Sequence, residues 1–236
     1  MLKAINLTKK FQSFIALDSL HLQVQKGDIY CLLGANGAGK TTTINLFLGF
    51  TPPSYGEVLI DGLSVVKHPL ETKKLLTYIP ENLMLYPNLS GIENLEYFSI
   101  LSGKKHSRQQ LIDFLAGAGL QTDAFGKRVA AYSKGMRQKI GIALALAKSS
   151  SVLLLDEPTS GLDPQASNEF SNLLLKMKDA NVATLMATHD IFRAHSVGTH
   201  VGIMREGRLV HELRTKETTI QDLERLYLKT MEPAEV

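Results

Sequence analysis

The chain of 236 residues has one cysteine, Cys31. An internal disulfide is therefore excluded, and a reducing compartment, the cytoplasm, is expected. Cys31 stands in the apolar string IYCLL and reads as a small core residue. Long apolar runs are also missing. The longest without glycine covers residues 142–147, far short of the roughly 18 residues a membrane-spanning helix needs. The beginning, MLKAINLTKKF, has no apolar stretch followed by a cleavage site, so it does not read as a secretory signal. If the protein works at a membrane, another chain must supply the membrane part. A large excess of one charge sign is missing as well: the net value is +3, too mild to imply a nucleic-acid partner. Repeats, low-complexity tracts and long linkers are absent.

What is present is ordinary globular material, 44% hydrophobic and 21% charged, with enough chain to bury one domain or two lobes. Leu20, Leu22 and Val24, then Val58 and Ile60, alternate at period two and predict half-buried strands. Residues 29–33 form a short apolar run that predicts a buried strand, followed by a helix over 40–48. Further buried strands are expected at 152–156 and 182–187. Between 83 and 147 helical patterns dominate, at 92–101, 108–120 and 135–147, broken by glycines. A hairpin is expected around 205–208, and a last helix over 220–229. The pattern is an α/β core interrupted by a mainly helical insert.

Gly34-Ala-Asn36-Gly37-Ala38-Gly39-Lys40-Thr41 fits G-x-x-x-x-G-K-[ST] between the predicted buried strand and helix, the context that motif requires. The bland alternative is a glycine-rich turn. In the phosphate-binding reading, glycines let successive N–H groups turn inward around an anion, and the helix adds its positive dipole end. Lys40 reaches the β- and γ-phosphates, and the Thr41 hydroxyl ligates Mg²⁺. Further on, Asp156 and Glu157 close the apolar run VLLL. Alternation along a strand would send the two carboxylates opposite ways. Asp156 is then a metal residue acting through water, and Glu157 a general base for the attacking water. Ser133-Lys134-Gly135-Met-Arg-Gln138 opens a predicted helix upstream of Asp156; Ser160-Gly-Leu-Asp163 follows Glu157; His189 ends the strand at 182–187 in ATHD.

In order, GANGAGKTT, YSKGMRQ, VLLLDEP, TSGLD and ATHD resemble the Walker A, signature, Walker B, D-loop and H-loop segments of the ABC ATPase family, and the resemblance covers nearly all of the chain. It implies a P-loop NTPase of ABC ATPase type. The expected parts are a RecA-like core sheet with an N-terminal antiparallel β subdomain (about 1–82 and 151–236) and a helical subdomain insert (about 83–150), together one domain over 1–236. It implies ATP and Mg²⁺ as ligands, Phe11 as the aromatic on adenine (with Phe14 close by), Asn36 and Thr42 as added phosphate contacts, and His189 as a γ-phosphate sensor. Glu157, His189 and Lys40 are the catalytic set. Gly34, Gly37, Ala38, Gly39, Lys40, Thr41 and Thr42 bind ATP from one chain; Ser133, Gly135 and Asp163 belong to the site shared across a head-to-tail dimer with a second copy or a similar subunit. The resemblance further implies ATP hydrolysis coupled to a separate integral-membrane permease, with this subunit peripheral on the cytoplasmic face of the membrane.

Two positions depart from the family pattern. Lys134 replaces the first glycine of the common LSGGQ, where it either adds positive charge near a partner's phosphates or points to solvent. Glu81, in YIPEN, stands where most members have glutamine, at a position near the metal. A carboxylate about 4 Å from another negative charge costs about 4 kcal/mol at an effective dielectric near 20. Glu81 therefore faces Mg²⁺, is protonated, or swings away. This variant pair resembles subunits of bacterial exporters whose membrane partners have six helices each. A soluble ABC ATPase acting on ribosomes or DNA, and a regulatory module that hydrolyses nothing, are the other readings; the intact Glu157 and His189 count against the last.

Overall fold

The structure, a computed structural model, describes residues 1–232; the last residues of the expected domain, 233–236, lie outside the described residues. Two sheets form the core. The smaller is antiparallel, in the order β2 (Phe14–Val24), β1 (Leu2–Phe11), β4 (Tyr55–Ile60), β5 (Leu63–Ser64). The larger has six strands, in the order β10 (Arg208–Arg214), β9 (His200–Arg205), β3 (Ile29–Leu33), β8 (Ala183–Thr188), β7 (Val152–Asp156), β6 (Leu76–Ile79). From β9 to β6 it is parallel; the edge strand β10 is antiparallel, joined to β9 through Glu206 and Gly207.

Both faces of the large sheet are covered, which explains why its central strands read as unbroken apolar runs. Ile29, Cys31, Leu33, Leu153 and Leu155 point into one core, shared with the helical insert. Tyr30, Leu32, Val152 and Leu154 point into the other, shared with the small sheet and α1 (Lys40–Phe47). Cys31 is free and fully buried, and burial pushes its thiol far above the usual range.

The insert between β6 and β7 holds α3 (Gly91–Leu101), α4 (Arg108–Gly117) and α5 (Lys134–Lys148). Ser90 with Glu93, and Ser107 with Gln110, form capping boxes that fix where α3 and α4 begin. The sequence pattern does not mark the helices α2 (Pro69–Leu75), which runs straight into β6, α6 (Pro164–Asp179) and α7 (Ile191–Val197), nor the strands β1, β5 and β6. The chain ends on α8 (Ile220–Met231).

Candidate functional site

The site lies at the carboxyl ends of the parallel strands, where open α/β sheets bind ligands. β3 and β7 flank β8, so the loop 34–39, Thr188 and Asp156 emerge side by side. The loop is held rigidly from beneath. Gly39 has φ +104°, and a Cβ there would approach Ala16 O at 2.9 Å; a Cβ on Gly34 would strike Met204 O at 2.6 Å. Neither position accepts another residue without backbone movement. Gly39 is also the residue before α1 and offers no side-chain cap, so the first-turn N–H groups keep their capacity for a ligand.

Lys40 is 5% exposed, and its ammonium donates to the carbonyls of Gly34 at 2.6 Å and Ala35 at 3.2 Å. It lies 3.7 Å from Glu157 Oε1. Burial lowers its pKa, against the pull of Glu157 and Asp156. The Thr41 hydroxyl donates to Asp156 Oδ1 at 3.3 Å. Burial raises the Asp156 pKa; the Thr41 hydrogen bond opposes this, and the charges of Glu157 and Glu81 add to it against that of Lys40.

β7 stops at Asp156, and Glu157 has φ +48°. Its side chain is therefore aimed by a left-handed residue, a strained conformation for a non-glycine, and not by the strand alternation expected from sequence. The turn is secured by the Glu157 N–H donating to Ala187 O at 2.9 Å. Glu157 Oε2 accepts from the His189 backbone N–H at 3.4 Å and lies 2.9 Å from His189 Nδ1. Glu157 Oε1 is buried with no hydrogen-bond partner.

A cleft of about 290 Å³ is lined by Asn36, Gly37, Gly39, Lys40, Thr41, Thr42, Glu81, Asp156 and Glu157, with Phe14, Ala16 and Ala35 completing it. Phe14 lines it; Phe11, its cross-strand neighbour, does not. Both rings are exposed, and Lys9 Nζ sits 4.8 Å over the ring of Phe11. Neither is a core aromatic. Asp156, beside the Thr41 hydroxyl and with a raised pKa, and Glu157, with one oxygen orphaned, are oxygen donors of the kind a divalent cation takes, while no three acidic or histidine side chains converge on a metal position among the described residues. A more voluminous cavity, 640 Å³ beside Asp28, Lys178 and Arg214, contains none of these groups.

Ser133, Gly135 and Asp163 are not among the lining residues of the cleft. Ser133 caps α5, its hydroxyl accepting from Met136 N–H at 3.2 Å. Asp163 caps α6, accepting from Ala166 N–H at 2.9 Å. Gly135 packs so closely on α6 that a Cβ would lie 3.2 Å from that of Ala166. The Lys134 ammonium lies 3.5 Å from Glu81 Oε1 in the same chain, with 26% of its side chain exposed. Ser160, which also donates to Glu81 Oε1 at 2.9 Å, and the buried Gln138, whose amide donates to the carbonyls of Pro80 and Glu81 at 3.1 Å each, had no assigned role in the sequence. Their partners lie too far along the chain for a local pattern to reveal.

A glycine-rich loop opening a helix, with a lysine, a threonine and an acidic strand end around one cleft, defines a P-loop nucleotide triphosphatase. The family profile described as "ABC transporter" matches residues 17–160, and the chain belongs to that family: it is an ABC transporter ATP-binding subunit and an ATPase. It is 33% identical over its whole length to the ABC transporter ATP-binding protein YhcH of Bacillus subtilis (strain 168), covering 77% of that protein. It is 37% identical over 214 residues to the bacitracin transport ATP-binding protein BcrA of Bacillus licheniformis, covering 90% of this chain and 69% of the relative. Over 89% of this chain and 68% of the relative it is 28% identical to the linearmycin resistance ATP-binding protein LnrL of Bacillus subtilis (strain 168). Among solved structures it matches an ATP-binding subunit of an ABC transporter with a TM-score of 0.86 and 26% identity, covering 98% of this chain and all of the other. It also matches a dimeric ATP-binding cassette in a post-hydrolysis state bound to ADP and Pi, with a TM-score of 0.81 and 25% identity over 91% and 99% of the two chains.

Proposed function

We propose that this subunit is the motor of an exporter, working as a head-to-tail dimer on the cytoplasmic face of the membrane beneath a separate permease. Export is supported by relatives named for bacitracin transport and linearmycin resistance. A separate permease fits the absence, among the described residues, of any helix long and apolar enough to cross a membrane. The two lobes divide near residues 82 and 151. The observation that carries the dimer is the separation of the signature from the cleft: Ser133 and Gly135 sit at a helix start, a place suited to an anion, yet do not line the cleft of their own chain. A second copy, turned head to tail, gives that helix start a γ-phosphate to hold.

In this arrangement the backbone of Gly34, Gly37, Ala38 and Gly39, with Asn36 and Thr42, holds the phosphates, and the hairpin tip with Phe14 and Phe11 receives the base. Lys40 exchanges its two loop carbonyls for phosphate oxygens. Thr41, Asp156 and Glu81 would hold Mg²⁺, which when bound neutralises charge on the phosphates. Glu157 takes the proton of the attacking water, and His189 steadies its carboxylate. Asp163, which caps α6, belongs to the ATP site shared with the partner.

The test is size-exclusion chromatography with light scattering in Mg·ATP. Glu157→Gln removes the proton acceptor, worth about 10²–10⁴-fold, while Lys40, Thr41 and Asp156 still bind. The variant is expected to accumulate as an ATP-bound dimer, absent with ADP and lost on adding Ser133→Arg. A monomer in Mg·ATP, or an equal dimer with ADP, refutes the shared-ATP reading.

A further inference from the structure

The two departures from the family pattern touch each other. Glu81 adds a negative charge where most members carry an amide; Lys134 adds a positive charge where most carry glycine; and the two ends lie 3.5 Å apart. Ser160, on the loop after β7, donates to the same oxygen at 2.9 Å. Three segments thus meet at one carboxylate: the exit of β6, the start of α5 and the loop that follows Glu157.

The backbone and side chain of Glu81 are held in different ways. Gln138 lies one helical turn beyond Lys134 on the same face of α5, is fully buried, and donates to the carbonyls of Pro80 and Glu81. Further along that face, Gly141 packs so tightly on Ile79 that a Cβ would approach it at 2.9 Å. The main chain at Glu81 is therefore pinned to α5. The side-chain pair is open to water, with 47% of the Glu81 side chain and 26% of the Lys134 side chain exposed. A pair this exposed is favoured by no more than about fivefold. It is firm enough to bias the carboxylate and weak enough to be exchanged.

We propose that Lys134, supported by Ser160, is a positioning residue for Glu81. In the nucleotide-free chain it draws the carboxylate toward the start of α5, and Mg·ATP exchanges that partner for the metal, releasing the Lys134 side chain. Repulsion from Asp156 and Glu157 favours the outward position while the cleft holds no cation, and a divalent ion reverses that field. Because Lys134 sits between Ser133 and Gly135, filling the cleft changes the charge and freedom of the very helix start that a second copy must meet. The inference rests on Glu81 being a metal residue, as proposed above.

The test uses the full chain as wild type, Glu81→Gln, Lys134→Gln and the double variant, at a dilution where light scattering shows monomers. Lys134 is acylated with acetic anhydride and its modification is followed by peptide mass spectrometry. In the nucleotide-free protein Glu81→Gln is expected to raise the Lys134 rate about two- to fivefold. Mg·ATP should raise the wild-type rate to a similar level, and ATP with EDTA should not. In parallel, the Mg²⁺ concentration at half-maximal binding of a fluorescent ATP analogue is measured. Lys134→Gln should lower it about two- to fivefold when Glu81 is present and leave it unmoved in the double variant relative to Glu81→Gln. An equal shift in both backgrounds overturns the proposal, because Lys134 would then act on the phosphates directly. So does a Lys134 rate indifferent to Glu81→Gln. If Glu81→Gln leaves the Mg²⁺ midpoint at its wild-type value, the metal reading of Glu81 falls, and the acylation rates in nucleotide-free protein still judge the ion pair by itself.

Discussion

Helix α1 begins at Lys40 behind Gly39, which makes no side-chain cap, whereas α5 begins at Lys134 behind Ser133, whose hydroxyl already accepts from Met136 N–H. Around α1 the donors are unspent, the lysine is buried and turned onto its own loop, and Asp156 and Glu157 stand beside it. Around α5 the cap is satisfied, Ser133 is exposed, and the lysine is engaged by Glu81. Both are positive helix ends suited to phosphate. Only the first is strained and under-bonded enough to bind a triphosphate by itself. In the proposed reading the second gains from an anion only when another surface presents it, so one helix start would be a binding site and the other a docking site.

The sharpest way to break this contrast is to disable each end in turn. Lys40→Ala removes the buried point charge and is expected to lower turnover by about 10²–10³-fold and to weaken ATP binding by the dilute chain. Ser133→Arg should leave ATP binding by the same dilute chain nearly unchanged and abolish the ATP-dependent dimer. Equilibrium titration with a fluorescent nucleotide separates the two. Equal losses of binding in both variants would mean that the signature contributes to its own chain's cleft.

The same contrast separates what is legible in the sequence from what only the fold brings together. The loop 34–41 is legible because its chemistry is local: glycines, lysine and threonine sit within one strand-to-helix turn. Asp163-Pro164 followed by Phe170, Leu173, Leu174 and Met177 carries the signals for α6, a capping aspartate and apolar spacing of three and four. The passage from α2 to β6 was hidden for a physical reason: Leu75 and Leu76 are consecutive, with no glycine or proline to mark the change. The ion pair between Glu81 and Lys134, and the hydrogen bonds of Gln138 and Ser160, join residues that only tertiary packing brings together. The left-handed backbone of Glu157 was equally silent, because nothing in Asp-Glu-Pro distinguishes a strand continuing from a strand turning out.

A smaller effect is expected at the end of the cleft proposed to receive adenine. Phe11 and Phe14 face each other across the β1–β2 turn, but Lys9 covers the ring of Phe11 while Phe14 borders the cleft. Stacking on a base is worth about 1–3 kcal/mol by alanine substitution. Phe14→Ala is accordingly expected to weaken ATP binding about tenfold, with Phe11→Ala the milder of the two. The comparison is made by titration with ATP and with inorganic triphosphate, which has no base and should not distinguish the variants. If Phe11→Ala is the more damaging for ATP, the hairpin tip must rearrange when nucleotide enters.

The smallest expected effect concerns what the α1 cleft costs the fold when nothing is bound. Burial, with the charges of Glu157 and Glu81, raises the Asp156 pKa above its ordinary value of 3.8. A raised folded pKa means that the native state binds this proton more tightly than the unfolded chain does. The stabilisation from that proton is complete below the unfolded value and is lost as pH rises through the folded one, so at neutral pH the ionised carboxylate is a net burden. Asp156→Asn keeps an acceptor for the Thr41 hydroxyl and removes the charge. The nucleotide-free variant is expected to melt about 2–4 °C higher than wild type at neutral pH. That gain should shrink as pH falls through the raised pKa and vanish below about pH 4. Mg·ATP should reverse the order, because in the proposed reading Asp156 helps hold the metal and the wild type is stabilised more. Differential scanning calorimetry across this pH range, with and without Mg·ATP, decides the matter. A variant that melts lower at neutral pH, or a gain that does not change with pH, would show that Asp156 stabilises the empty cleft through the Thr41 contact and carries no electrostatic burden.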